Sequence, residues 1–134
     1  MTQHVAFDLG NVILEVDMQH FWDVVSALDI DHTEMEKYLK LTERLEFCGL
    51  VHMADVFADE FEPWEVDELL KAWNIGLKPN QQMMNFVSSL KSEGFKIAYV
   101  SNIGSEHLNY CKANLKEMMD LAHVHHMSCE VGAA

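Results

Sequence analysis

Hydrophobic and polar positions follow two different periods along this chain. Val5-Ala6-Phe7 is a short apolar run that stops at Asp8 and runs into Leu9-Gly10-Asn11. That is the pattern of a buried strand ending in a turn. Val12-Ile13-Leu14-Glu15-Val16 predicts a second short strand or flap. From Met18 the period becomes helical: Phe21, Val24, Val25 and Leu28 share a side, with Asp17 as the expected N-cap. Thr33 and Glu36 stand at capping-box spacing, and Met35, Tyr38, Leu39 and Thr42 follow at helical intervals. A break is expected near Gly49. Met53, Val56, Phe57 and Phe61, then Val66, Leu69, Leu70 and Trp73, predict two more amphipathic helices, the second with Pro63 in its first turn. Gly76 and Pro79 close this region.

The second half alternates more simply. Asn80 to Lys91 predicts a helix with Met83, Met84, Val87 and Leu90 on its apolar side, stopped by Gly94. Lys96-Ile97-Ala98-Tyr99-Val100 predicts another buried strand, ending at Ser101-Asn102. Gly104 to about Met119 predicts a helix with Leu108, Cys111, Leu115 and Met118 or Met119 inward. Ala122 to Met127 predicts a last strand. Strands alternating with helices imply an α/β fold built on a parallel sheet. The helical stretch between the first two strands is too long for a plain crossover, so an inserted cap is expected. In such sheets ligands bind beyond the carboxyl ends of the strands. Asp8 and Ser101-Asn102 both fall there.

Composition narrows the function. The 134 residues suffice for one domain, and 49% hydrophobic with 23% charged residues is ordinary globular composition. Nine Lys and Arg stand against 22 Asp and Glu, a formal net charge of −13. Such a chain lacks the basic surface that nucleic-acid binding needs, and anionic membranes repel it. No apolar run approaches the roughly 20 residues that span a bilayer. The first residues carry no basic segment of the signal-peptide kind. Three widely spaced cysteines, Cys48, Cys111 and Cys129, are expected as reduced thiols in a cytoplasmic protein.

Several residues carry candidate chemistry. A carboxylate at a strand end, as at Asp8, serves as a nucleophile or metal ligand, or simply caps a turn. Ser101 and Asn102 can donate hydrogen bonds to a phosphate, or cap a helix. His123 and His125 would share a face of a strand beside His126, a loose Zn²⁺ or Ni²⁺ site with Cys129 nearby, or ordinary surface histidines. Met83-Met84 and Met118-Met119 fit adaptable core filler. Trp22, Trp64 and Trp73 fit helix packing or the lining of a cleft. The acidic run from Asp55 to Glu68 fits a solvated surface.

Phe7-Asp8-Leu9-Gly10-Asn11-Val12-Ile13-Leu14 resembles the first motif of the haloacid dehalogenase (HAD) superfamily, and Val100-Ser101-Asn102 resembles its second. The spacing resembles the subfamily with a small α-helical cap after the first motif. The Asp-Leu-Gly-Asn-Val form is most similar to sugar-phosphate phosphatases typified by α-D-glucose-1-phosphate phosphatase. Glu46-Phe47-Cys48-Gly49-Leu50-Val51 resembles a cap segment of that group. The resemblance implies a Rossmann-like, three-layer parallel sheet with a core of residues 1–15 and 79–134 and a cap of residues 16–78. It implies Asp8 as the nucleophile of an aspartyl-phosphate intermediate and Ser101 and Asn102 as phosphate binders. It also implies Mg²⁺ held by Asp8 and the Gly10 carbonyl, with a small phosphorylated metabolite as substrate.

The chain departs from the common phosphatase pattern twice. A second Asp two residues after the nucleophile, the general acid, is replaced by Gly10, as in some members of the resembled subfamily. The third-motif Lys and fourth-motif acidic pair are not found; Ser128 to Ala134 resembles the stretch leading into the third motif. The expectation is a C-terminally incomplete sheet, with about 60 residues more in a longer product. An exposed strand edge would favour self-association. The alternatives are a truncated, inactive chain acting as a binding module, and a dehalogenase-type hydrolase. For the last, Arg44 is the sole candidate halide or carboxylate binder, and it lies in the cap segment.

Overall fold

The computed structural model describes residues 3–134. Strand β1 (His4–Asp8) leads through a tight turn to β2 (Leu14–Val16). Four helices follow: α1 (Gln19–Ala27), α2 (His32–Phe47), α3 (Met53–Glu60) and α4 (Pro63–Ile75). The chain returns through β3 (Leu77–Pro79) to α5 (Gln81–Ser92), β4 (Lys96–Ser101), α6 (Ser105–Asn114), α7 (Lys116–Asp120), β5 (Val124–Met127) and α8 (Ser128–Val131).

The main sheet is parallel in the order β1-β4-β5. Its register runs from His4↔Lys96 to Asp8↔Val100 on one side of β4, and from Ala98↔Val124 to Ser101↔Met127 on the other. Side chains alternate across it, as the pleat requires. Val5, Phe7, Ile97, Tyr99 and Met127 face α5, α6 and α7, where they join Val87, Leu108, Cys111 and Met118 in one core. The Tyr99 hydroxyl donates to the Met118 carbonyl at 2.8 Å, which satisfies its polar tip inside this core. Ala6, Asp8, Val100, Val124 and His126 point the other way and stay partly or wholly exposed. So β1 is an edge strand covered on one face, where the apolar run predicted a buried one.

A second core lies within the four-helix region, built on Phe21, Val25, Met53, Phe57 and Leu69. Phe21 meets Trp73 edge-on with ring centroids 5.0 Å apart. Both chain crossings between the two cores run side by side. Strand β2 pairs antiparallel with β3, Leu14↔Pro79 to Val16↔Leu77, and the Asp17 N–H donates to the Gly76 carbonyl at 3.0 Å. Gly76 and Pro79, expected merely to end the helical region, thus flank and close a strand. Three residues are too few for a periodicity to register.

Three local expectations are corrected. Met18, not Asp17, occupies the N-cap of α1, although the Asp17 carboxylate still accepts from the Gln19 N–H at 2.9 Å. Asp31, not Thr33, caps α2, accepting from the Glu34 N–H at 2.9 Å; Asp is as good a cap as Thr and stands two residues earlier. The helix predicted from 104 to 119 breaks at Leu115, whose backbone leaves the helical region, into α6 and α7. Residues after β5 turn into the short α8.

Gly76 is required by close approach. A Cβ there would collide with the Asp17 carbonyl oxygen, a backbone atom that cannot rotate away. Gly76→Ala therefore forces the paired crossings apart and costs about 1–3 kcal/mol, as overpacking does. Urea unfolding measures this; an unchanged midpoint would show that the crossings are not tightly coupled.

Candidate active site at the strand ends

Parallel pairing brings the ends of β1 and β4 together. Asp8 is the last residue of β1 and pairs with Val100; Ser101 is the next residue of β4, and Asn102 follows it. Neighbouring strands lie about 4.8 Å apart, so residues 92 positions distant in sequence become neighbours. A groove of about 790 Å³ is lined by Asp8, Gly10, Asn11, Ser101, Asn102 and Ser128, among others. The structure thus gathers Asp8, Gly10, Ser101 and Asn102 in one place.

The turn after Asp8 is rigidly built. The Leu9 carbonyl accepts from the N–H groups of Val12, Ile13 and Leu14 at 3.3, 3.0 and 2.8 Å. Asn11 takes a left-handed conformation, φ 60°, which Asn tolerates better than most residues. Ser128 fixes the other wall: its hydroxyl accepts from the Ile103 N–H at 2.9 Å and contacts the Ile103 carbonyl at 3.3 Å. Ser101, Ser128 and Glu46 are the buried polar side chains among the described residues, and all three stand around these strand ends.

A second cavity, of about 480 Å³, opens between the helical region and the sheet. It shares Gly10, Asn11, Ser101 and Asn102 with the first groove. A Cβ at Gly10 would meet nothing within 4 Å, so the absent side chain leaves open space in this shared wall. Trp22, Trp73, Leu39 and Met53 give the cavity apolar surface; Glu36, Lys40, Glu43, Glu46 and His107 give it charge and polarity. Trp64 takes no part; it is exposed on α4. Arg44 lines neither cavity. The Trp73 indole N–H is buried without a hydrogen-bond partner among the described residues. His107 stacks on Trp73 at 5.0 Å and donates from Nε2 to the Trp73 carbonyl at 2.9 Å. Burial lowers the His107 pKa, so the ring is neutral at pH 7.

Glu46 was named only as the start of a cap-like segment, not as a site residue. It lies in the last turn of α2 and is 4% exposed. Burial first, then the Glu106 and Glu43 carboxylates, push its pKa from 4.5 up to about 7. A signal was present: 35, 39, 42 and 46 form one stripe at helical spacing. Charge at position 46 masked it, because carboxylates usually face water.

Mg²⁺ is held by few protein oxygens, one or two carboxylates with substrate phosphate and waters. The Asp8 carboxylate and the Gly10 carbonyl, which accepts no backbone hydrogen bond from the described residues, fit such an ion. The histidines do not make a second site. The Ile97 N–H donates to His123 Nδ1 at 3.0 Å, and His125 Nε2 bonds the Met119 carbonyl at 2.8 Å. Among the described residues no three His, Cys, Asp or Glu side chains converge to hold a metal. All three cysteines are free thiols, and burial raises Cys111 to about 11, which leaves it inert. No described helix is long and apolar enough to cross a membrane.

The architecture is the HAD-like α/β fold. A HAD family enzyme from Bacteroides thetaiotaomicron, in complex with magnesium and inorganic phosphate, superposes with a TM-score of 0.78 at 15% identity, over 100% of this chain and 72% of that one. A predicted HAD-like family hydrolase from Porphyromonas gingivalis gives 0.71 at 15% identity, over 100% and 70%. A HAD phosphatase from Thermococcus onnurineus gives 0.53 at 19% identity, over 93% and 61%. No family model and no curated protein sequence matches the chain.

The raised Glu46 pKa has a consequence for stability. A carboxyl whose folded pKa lies above its unfolded one stabilises the fold at low pH, and that contribution is lost as pH rises to the folded value. Relative to Glu46→Gln, the native protein should lose about 3 kcal/mol between pH 4.5 and 7 and level off above. Chemical unfolding of both proteins across pH 4–8 checks this. A constant difference would mean that Glu46 ionises normally.

Proposed function

We propose that this chain is a Mg²⁺-dependent phosphatase of a small phosphorylated metabolite, a sugar phosphate of the kind handled by α-D-glucose-1-phosphate phosphatase-type enzymes. The observation that carries this is the meeting of Asp8, Gly10, Ser101 and Asn102 in one groove at the carboxyl ends of paired parallel strands. The HAD-like fold supports it, since the motifs in Phe7–Leu14 and Val100–Asn102 stand at those strand ends.

In this reading Asp8 attacks phosphorus through a carboxylate oxygen, the bond to the leaving oxygen breaks, and water then hydrolyses the aspartyl-phosphate. The Ser101 hydroxyl and the Asn102 backbone N–H hold phosphate oxygens at the end of β4, where they need no reorganisation during reaction. Bound at Asp8 and the Gly10 carbonyl, Mg²⁺ supplies positive charge to neutralise the transferring phosphoryl group. That charge matters in a chain of net charge −13, which otherwise repels a phosphate ester.

Residues 16–78 act as the cap and residues 1–15 with 79–134 as the core; their separate hydrophobic cores support this division. The cavity of about 480 Å³ takes the non-phosphate part of the substrate. Trp22 and Trp73 present flat apolar faces, while Lys40, Glu36 and the unpartnered Trp73 N–H suit hydroxyl groups. A polyhydroxylated substrate fits this mixture better than a hydrocarbon.

Hydrolysis of p-nitrophenyl phosphate with and without Mg²⁺ tests the proposal. Phosphate release should require the ion and fall to background in Asp8→Asn. Ser101→Ala should lower kcat/KM roughly 10²-fold, the scale of losing one preorganised donor. Equal activity in Asp8→Asn and the unaltered chain would overturn the proposal.

A further inference from the structure

We propose that Glu46 is the proton donor to the leaving oxygen, an inference that rests on the phosphatase reading above. An alkoxide is a poor leaving group, so cleavage of an alkyl phosphate needs an acid on the leaving-group side. Asp8 is already committed to attack, and Gly10 carries no side chain. The donor must therefore come from the cavity that receives the leaving group. Of the acids lining it, Glu36 and Glu43 are at least partly exposed and Glu46 is buried.

Three independent features place Glu46 for this task. Its cavity joins the Asp8 groove at Gly10, Asn11, Ser101 and Asn102. Its side chain fills the space a Cβ would take at Gly104, the N-cap of the ten-residue helix α6, so glycine there makes room for the carboxyl. Among the described residues it has no ion pair and no side-chain hydrogen bond, and its carboxyl oxygens are not among the fully buried unpartnered atoms, so they keep an opening to the cavity. Burying an unpartnered carboxyl costs stability, and such groups concentrate where chemistry needs them.

The groups around it set the balance between its two forms. Glu43 on α2 and Glu106 on α6 favour the protonated acid; the Cys129 thiol on α8 stands near enough to sense its charge. Lys40 and the neutral His107 line the same cavity. The start of α6 stabilises the anion once the proton has left. Glu46 is thus an acid that is substantially protonated at neutral pH and releases its proton without a large penalty.

The step balances. The Asp8 oxygen forms its bond to phosphorus as the P–O bond to the substrate alcohol breaks. The electron pair of that bond takes the Glu46 proton, leaving an alcohol and the Glu46 carboxylate. In the second half, water attacks the aspartyl-phosphate and passes its proton to a phosphoryl oxygen, while the Glu46 carboxylate regains its proton from solvent. Phosphate leaves, and both acids return to their starting forms.

Leaving-group dependence tests this. Nitrophenolate departs as a stable anion and needs no proton, whereas the alkoxide of β-glycerol phosphate does. With Mg²⁺ present, Glu46→Gln should lower kcat on β-glycerol phosphate by about 10²- to 10⁴-fold and leave p-nitrophenyl phosphate hydrolysis nearly unchanged. The unaltered chain should lose alkyl-ester activity as pH rises through about 7, and the variant should lack that limb. Activity on the aryl ester reports that the variant is folded. Should Glu46→Gln fail to fold, Glu46→Asp, which withdraws the acid by one methylene, should show the same selective loss. Equal loss on both esters in a folded variant, or no loss on either, overturns the proposal. If the unaltered chain hydrolyses neither ester, the phosphatase reading itself falls, and this inference with it.

Discussion

The parallel pairing of β1 with β4 is the constraint on which the site depends. It joins two segments separated by the whole helical region, in a register that sets Asp8 against Val100 and Ser101 just beyond. Neither strand builds a site alone. The carboxyl ends of parallel strands present backbone groups and following turns in one direction, and a nucleophile and an anion holder need that arrangement. The turn on Leu9 and the clasp of Ser128 on Ile103 then hold the two loops in shape. Slipping the register by one residue would take Asp8 from its pairing with Val100 and turn its side chain to the other face.

The helical region is tied to this edge at several points rather than floating above it. The paired crossings at β2 and β3 fix its base. His52 Nδ1 meets the Ser105 hydroxyl at 2.6 Å, His107 bonds the Trp73 carbonyl, and Gly49 leaves no room for a side chain against the Cys129 carbonyl. Those contacts all lie on α6 and α8, beside the strand ends. They bring the last turn of α2 down to the site, and Glu46 with it. A carboxyl buried there works against stability, while the helical region around it keeps an apolar core on Phe21, Met53, Phe57 and Leu69. That contrast between local cost and global fit is characteristic of a functional position.

Much of the fold was legible because its longer elements repeat a clear period. The helices α1, α3, α4 and α5 announce themselves through residues such as Phe21, Val25, Phe57, Leu69 and Val87, which the structure buries. The α/β class followed from the alternation of strands and helices. Two short elements were not legible: β3 has three residues and α8 four, and neither is flanked by an apolar run like the one that reveals β2. Capping of α2 was read two positions off because Asp31 and Thr33 offer the same chemistry to neighbouring N–H groups. The exposure of one sheet face was hidden by Val100 and Val124, apolar residues that stay partly in water. At the site, Asp8 and Ser101-Asn102 stood out because an apolar run stops at each. Glu46 did not, because α2 also exposes Leu41 and Leu45, which blurs its inward stripe.

The most direct test of the central claim is the crystal structure of this chain with Mg²⁺ and beryllofluoride, which mimics a phosphoryl group on a carboxylate. The beryllofluoride should bond to the Asp8 carboxylate, its fluorines within hydrogen-bond distance of the Ser101 hydroxyl and the Asn102 N–H, with Mg²⁺ against Asp8 and the Gly10 carbonyl. A complex formed at any other carboxylate, or density absent from Asp8 at saturating ligand, would contradict it.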